Sequence, residues 1–264
     1  MMALEVALVM AIASAVPLTA DRCPGLTRRP CEFALMVQRT EEAEGARAFD
    51  DLPCKHSLNA AQTVKGLLRE LDKKLLQTVG SKQEGRSPKY EQKRWVEHPG
   101  ELGISRPQMI CEIGLNTGHS AAGWLCAHPT AFYHSFDLVR YKATRIAIPF
   151  LGEAFPGRFN VTAGNTATTL PAAAKEGLRC DVISIDGDHS FSGALRDLTN
   201  MRHLGKAHTG SVVIMDDLQC AAPWCANPTA AWVHAGNKKG LLKQSGCEVL
   251  GWGHGWCWGK YNYE

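Results

Sequence analysis

Beyond Pro107 the chain alternates short apolar runs with helix-patterned segments, and no other feature limits the possible folds so strongly. The strand candidates are Met109–Ile113, Ala131–Phe136, Phe159–Thr162, Asp181–Ile185 and Ser211–Met215. Between them lie helix candidates His119–Ala127, Tyr141–Phe155, Leu170–Glu176 and Phe191–Leu204, the second expected to kink or shorten near Pro149. In the last of these, Phe191, Leu195, Leu198 and Met201 recur at helical spacing and Gly205 ends the run. Alternation at this period predicts a parallel sheet covered on both faces, with right-handed connections. After Asp217 a helix is expected around Thr229–Ala235. The aromatic runs Glu248–Gly251 and Trp256–Tyr261 then read as an antiparallel hairpin at the sheet edge. The fold class is therefore α/β: a doubly wound, mostly parallel sheet with an antiparallel C-terminal hairpin and an N-terminal helical extension.

The extension is defined by Ala61, Val64, Leu68, Leu71, Leu75 and Val79, which repeat at steps of three and four. They predict an amphipathic helix over Leu58–Val79, with Ser57 as N-cap, Gly80 as stop and a face suited to a homodimer. A short helix over Tyr90–Val96 should end before Pro99 and Gly100. Residues 21–56 are polar and aperiodic, and read as an irregular arm tied down by cysteines. Ala3–Val16 is apolar apart from Glu5 and is followed by small residues. It is too short for a membrane span, which needs roughly 20 apolar residues. A signal peptide over residues 1–20, cleaved after Ala15 or Ala20, fits it better, although no positive charge precedes it; a buried N-terminus is the alternative. The mature chain should then have no stable membrane span and belong to the secretory pathway or the extracellular space, or to the cytoplasm if the run is no signal.

The ten cysteines suit an oxidising compartment. Cys23, Cys31 and Cys54, and the group Cys220, Cys225, Cys247 and Cys257, are disulfide candidates. Cys111 and Cys126 lie in apolar contexts expected of core thiols. No Cys-x2-Cys pair argues for zinc. The sequon Asn160-Val161-Thr162 matters only in a secreted chain. A net charge of +3, with no basic stripe interleaved with aromatics, argues against a nucleic-acid partner. We expect an arm and helical extension over 21–104 and one catalytic-type domain over 105–264.

Ligands of open α/β sheets bind at the carboxyl ends of the strands. The first strand leads into Glu112-Ile113-Gly114-Leu115-Asn116-Thr117-Gly118-His119-Ser120, a glycine turn that opens a helix. There glycines would let the backbone approach a ligand, and the helix start presents free N–H groups. The second strand ends at Asp137, placed for two ribose hydroxyls. The third ends Gly164-Asn165, the fourth Asp186-Gly187-Asp188-His189 and the fifth Asp216-Asp217. Every one of these ends is polar. The missing third glycine of G-x-G-x-x-G speaks against a dinucleotide.

From Met109 to the C-terminus the chain resembles the class I S-adenosylmethionine-dependent methyltransferases. Glu112-Ile113-Gly114-Leu115-Asn116-Thr117-Gly118 is similar to their first motif, E/D-x-G-x-x-x-G. The resemblance implies a Rossmann-like methyltransferase fold and S-adenosyl-L-methionine as cofactor. It implies cofactor contacts from Glu112, Gly114, Asn116, Gly118, His119, Ser120, Asp137, Gly164 and Asn165, with Asp137 on the ribose and Asn165 near the adenine. Ile185-Asp186-Gly187-Asp188-His189-Ser190-Phe191 with Met215-Asp216-Asp217 resembles the small-molecule O-methyltransferases whose strand-four and strand-five acids hold a divalent metal.

Asp186 and Asp216 are separated by one βα unit, so their strand ends should lie side by side. Converging carboxylates repel unless a cation or protons intervene, and hard oxygen donors suit Mg²⁺. Asp186, Asp216 and Asp217 are the expected metal ligands, and Asp186 and His189 the expected catalytic residues. His189 would be the base that takes the acceptor's proton. Its alternative is a bystander beside a helix capped by Asp188 and Ser190. Trp124 and Trp232 read as core. The acceptor pocket is expected from the N-terminal extension and the loops at 140–150 and 218–228. Two rivals to metal-assisted O-methylation of a small hydroxylated substrate remain: metal-independent O- or N-methylation, and a secreted binding protein on a degenerate scaffold.

Overall fold

A computed structural model describes residues 40–58, 62–79, 89–208, 210–250 and 253–263. The expected signal peptide, Cys23, Cys31 and the tip of the C-terminal hairpin lie outside these residues. Three helices precede the sheet: α1 across 40–50, α2 (Val64–Val79) and α3 (Lys89–Glu101). Then follow β1 (Met109–Ile113), α4 (His119–Ala127), β2 (Phe132–Asp137), α5 (Lys142–Ala154), β3 (Phe159–Ala163) and α6 (Thr166–Lys175). The chain continues through β4 (Val182–Ile185), α7 (Phe191–Arg202), β5 (Val212–Met215), α8 (Ala226–Val233), β6 (Leu242–Val249) and β7 (Gly255–Tyr261).

The strands form one sheet in the order β3-β2-β1-β4-β5-β7-β6. The first five in that row are parallel, and β7 runs antiparallel to both β5 and β6. The winding direction reverses between β1 and β4, so a crevice opens there beyond the strand ends. The two-residue period of the strands divides the core. Ile110, Val182, Val212 and Ile214 face α2–α5, whereas Cys111, Ile113, Ile183, Ile185, Val213 and Met215 face α6–α8. Trp124 and Trp232 are each buried, on opposite sides.

The N-terminal extension belongs to this same core. Val64, Leu67, Leu68, Leu71 and Leu75 of α2 are buried with residues of α4 and α5, so the apolar stripe of this helix is packing surface within the chain. Helix α2 starts at Val64 rather than Leu58, because Thr63 Oγ1 accepts the Gly66 N–H at 3.2 Å. Ser57, the expected cap, instead donates to the Glu153 and Ala154 carbonyls. Helix α3 runs past Val96 to Glu101 with Pro99 inside it. It lies against the C-terminal hairpin, where His98 stacks on Trp258 at 3.7 Å and Arg94 bonds Glu248 at 2.7 Å.

Four cystines cross-link the described chain: Cys54–Cys126, Cys111–Cys180, Cys220–Cys225 and Cys247–Cys257. Cys111 and Cys126 are therefore bonded rather than core thiols. Nothing in their apolar surroundings distinguished the two states, since a buried thiol and a buried cystine need the same environment. Part of the arm read as irregular is helical, at 40–50, and Lys89 fixes its end through Asp50 at 2.7 Å. Helix α6 begins at Thr166, four residues before the expected Leu170, because the Asn165 side chain accepts the Ala167 N–H at 2.9 Å. Among the described residues no helix is long and apolar enough to cross a membrane.

Candidate active site

A cavity of about 1130 Å³ opens over the carboxyl ends of β1, β2, β4 and β5. Ligand pockets commonly hold ~300–1,000 Å³, so this one has room for two molecules side by side. One half is lined by Gly114, Asn116, Asp137, Gly164 and Asn165, the other by Asp186, His189, Asp216, Asp217 and His254. Arg140, Tyr141 and Trp224 line it too. The latter come from the two loops expected to shape an acceptor pocket.

The glycine turn is held by its neighbours. Asp137 Oδ2 accepts the N–H groups of Leu115 at 2.8 Å and Asn116 at 3.2 Å. Its Oδ1 accepts the Val139 N–H at 2.5 Å. The carboxylate so fixes the loop and still has lone-pair directions toward the cavity. Gly114 has φ +90°, and a Cβ there would lie 1.9 Å from the Asp186 carbonyl oxygen. At Gly118, φ is +79° and a Cβ would meet Leu151 at 2.7 Å. Both glycines are needed for close packing within the protein, and Gly114 also lines the cavity.

Four of the expected cofactor contacts, Glu112, Gly118, His119 and Ser120, stand off the cavity wall. Glu112 is buried and accepts hydrogen bonds from Tyr133 Oη and, at 2.9 Å, from Ser120 Oγ. Burial pushes its carboxyl up to about 8. His119 is buried as well, 2.7 Å from Thr117 Oγ1 and 2.9 Å from Asp72 of α2. Gly118 packs on α5. Their side chains brace the loop; they offer the cavity no surface.

The acids gather around two histidines, and Asp217 reaches both, its Oδ1 lying 3.5 Å from His254 Nδ1. On one side His189 Nε2 lies 3.2 Å from Asp217 and 3.6 Å from Asp186. Its pKa is raised, first by the hydrogen bond to Asp186, against the desolvation that opposes charge. Ser190, not His189, caps α7, accepting the Gly193 N–H at 3.1 Å, and Asp188 accepts the Ser190 N–H at 2.9 Å. On the other side Asp216 turns to His254 at 3.0 Å, and His254 reaches Glu91 of α3 at 2.8 Å. Burial, with the nearby Asp186 charge, lifts Asp216 to about 6. Burial and Asp216 lift Glu91 well above the usual carboxylate range. Desolvation disfavours charge on His254, but hydrogen bonds to Asp216 and Glu91 prevail and raise it to about 11.

Consecutive aspartates diverge because Asp217 takes left-handed φ +56°, which few non-glycine residues adopt. The Asp216 N–H donates to the Ile185 carbonyl at 3.0 Å, which fixes its strand end beside Asp186. His254 is positioned by its own carbonyl, which accepts the Leu250 N–H at 2.6 Å across the hairpin turn. Glu91 and His254 were not foreseen. Glu91 shares the buried face of α3 with Trp95 and His98, and a carboxylate on an apolar face was the available signal. His254 in a glycine-rich turn gave none.

A family described as a methyltransferase domain matches residues 111–218. A putative O-methyltransferase from Klebsiella pneumoniae is similar over 86% of this chain and 99% of its own, at 16% identity and a TM-score of 0.60. An O-methyltransferase from Bacillus cereus in complex with S-adenosylhomocysteine is similar over 85% and 99%, at 17% identity and a TM-score of 0.60. The O-methyltransferase TomG from Streptomyces achromogenes, in complex with S-adenosylmethionine, is similar over 85% and 98%, at 14% identity and a TM-score of 0.59. No curated protein matches the chain in sequence. Residues 111–218 thus resemble a methyltransferase domain, and the seven-stranded sheet has the fold of these solved O-methyltransferases.

Proposed function

We propose that this chain transfers a methyl group from S-adenosylmethionine to a hydroxyl oxygen of a small molecule. The observation that carries this reading is the single cavity in which Asp137, Asn116 and Asn165 face Asp186, His189 and Asp217 across the β1/β4 switch point. A nucleoside seat and a proton-accepting cluster there share one space. The acceptor oxygen would attack the methyl carbon as its bond to sulfur breaks, giving a methyl ether and S-adenosylhomocysteine. The hydroxyl proton would pass to His189 Nε2, where Asp186 and Asp217 favour the protonated imidazole. Trp224 and Tyr141 at the cavity wall offer flat surfaces to an acceptor.

The donors also fit a divalent cation: the buried Asp216 Oδ1 has no well-formed hydrogen bond, and oxygen and imidazole donors converge around it. Such an ion would lower the pKa of the acceptor hydroxyl and orient its oxygen. Four cystines support an oxidising compartment, and we place the chain in the secretory pathway or outside the cell. Calorimetric titration with S-adenosylhomocysteine is the test. Binding is expected in wild type and should weaken at least about tenfold in Asp137→Ala, where two loop N–H groups lose their acceptor. No heat in the wild type would sink the enzyme reading and favour a binding protein on a degenerate scaffold.

A further inference from the structure

Among the described residues one cation-competent set differs from the acid triad suggested by the resemblance and contains neither Asp186 nor Asp217. That set is Glu91 Oε2, Asp216 Oδ1 and His254 Nε2, whose atoms all lie within 4.8 Å of one another. Two of the separations are 2.8 Å and 3.0 Å. Metal–ligand bonds of ~2.0–2.2 Å place neighbouring donors of one ion ~3.0–3.4 Å apart, by the geometry of tetrahedral and octahedral shells. Donor spacing here is thus already near that of a coordination shell.

A second observation is independent of this spacing. Glu91 is wholly buried, and its Oε1 has no hydrogen-bond partner among the described residues. A buried polar oxygen left unsatisfied is costly, and the His254 ring reaches only the other oxygen of this carboxyl, Oε2. The three residues also come from three separate elements: Glu91 from α3, Asp216 from the end of β5, and His254 from the turn before β7. Core packing of α3 on the hairpin, through His98 and Trp258, brings the first and last together. Asp216 and His254 line the cavity, so an ion between them would face a bound acceptor.

We propose that Glu91, Asp216 and His254 form a divalent-metal site, and that Asp186 and Asp217 are not its ligands. The imidazole makes the donor set mixed nitrogen and oxygen, which suits Mn²⁺, Co²⁺ or Zn²⁺ better than Mg²⁺. This rests on the methyltransferase reading only for what the ion would do; the site itself stands on the donors.

The experiment is titration of the full chain with Co²⁺, followed by visible absorption and calorimetry, with Mg²⁺ as a parallel arm. S-adenosylhomocysteine binding and thermal melting are measured on every variant to report an intact fold. Wild type should take up one Co²⁺ per chain with ligand-field bands and bind Mg²⁺ at least about tenfold more weakly. Glu91→Gln and His254→Gln should each lower Co²⁺ affinity at least about tenfold while still binding S-adenosylhomocysteine, and His189→Gln should leave it unchanged. If Glu91→Gln fails to fold, His254→Gln decides. Loss in His189→Gln with retention in the other two would overturn the proposal and put the ion at Asp186, His189 and Asp217. No uptake by a chain that binds S-adenosylhomocysteine would also overturn it, leaving the imidazolium to neutralise the acids. Failure to bind S-adenosylhomocysteine would instead count against the methyltransferase reading.

Discussion

Gly114 joins the cofactor loop to the chemical end of the sheet, and replacing it with alanine tests that junction. A Cβ at this position would fall 1.9 Å from the Asp186 carbonyl oxygen and 3.0 Å from the carbonyl carbon. Both are backbone atoms, so no side chain can swing away. Nor can the backbone move freely. The Gly114 N–H donates to Phe136 and the Asp186 N–H donates to Ile113, each at 3.0 Å. Two costs add. A left-handed φ costs an alanine about 1–2 kcal/mol, and forcing atoms into a packed site costs about 1–3 kcal/mol more. Gly177 supplies a matched control, for its φ is +88° against +90° at Gly114, and nothing lies within 4 Å of its added Cβ. Gly177→Ala should therefore show the conformational cost alone. Urea unfolding of both variants should find Gly114→Ala less stable than Gly177→Ala by about 2 kcal/mol. S-adenosylhomocysteine affinity should fall only in Gly114→Ala. Equal destabilisation of the two variants would refute the argument that contact with Asp186 is why position 114 is glycine.

Three further outcomes follow from groups behind the cavity. Glu112, pushed up to about 8 by burial, keeps a proton that the unfolded chain releases near pH 4.5. Stability must then fall as pH rises from about 4.5 to about 8, with a limiting slope of about 1.4 kcal/mol per pH unit. Glu112→Gln should remove that slope in urea unfolding at several pH values; parallel curves for variant and wild type would count against it. His119→Ala should cost about 2 kcal/mol, through the lost bonds to Thr117 and Asp72, yet leave S-adenosylhomocysteine affinity within about twofold. A large loss of affinity would show that His119 touches the cofactor after all. Cys111 and Cys180, 69 residues apart in sequence, close a long loop. Replacing both with alanine should lower stability by about 4 kcal/mol, and peptide mapping without reductant should find the two cysteines joined.

The sheet was legible because its information is local and periodic. β1, β4 and β5 carry buried apolar residues on both faces and stand out as short continuous runs, whereas β3 at the sheet edge alternates. Strand bounds moved by a residue at most in β1 to β5. Helix starts moved further, since a start depends on which side chain captures the first free N–H. Asn165 capped α6 four residues early, and Thr63 rather than Ser57 capped α2. In both segments the periodic residues were right and the capping chemistry was the unresolved variable. Cystine pairing was the least legible, because Cys54 meets Cys126 only after α1, α2 and α4 have packed together.

The site was legible only as far as strand ends define it. Asp137, Asn165, Asp186, Asp216 and Asp217 are placed by topology, and topology follows from the strand order. Which way a strand-end side chain turns does not follow from it. Asp217, at φ +56°, sets one carboxylate oxygen against His189 and the other 3.5 Å from His254 Nδ1, while Asp216, just past the end of β5, meets His254 Nε2. The two adjacent acids thus meet opposite nitrogens of the His254 ring, and only Asp217 also meets His189. The partners that complete them come from outside the alternating pattern. Glu91 belongs to a segment that read simply as a short helix, and His254 to one whose plainer reading was a hairpin turn. Both reach the acids because α3 is clamped on the hairpin by Arg94–Glu248 and by the His98–Trp258 stack. The N-terminal extension therefore does more than cover one face of the sheet: without α3, Asp216 would keep His254 but lose the buried carboxylate opposite it. Removing the clamp with Arg94→Ala should accordingly disturb the Asp216 side of the cavity and spare the Asp137 side, 21 residues along the chain from Asn116 and tied to it directly.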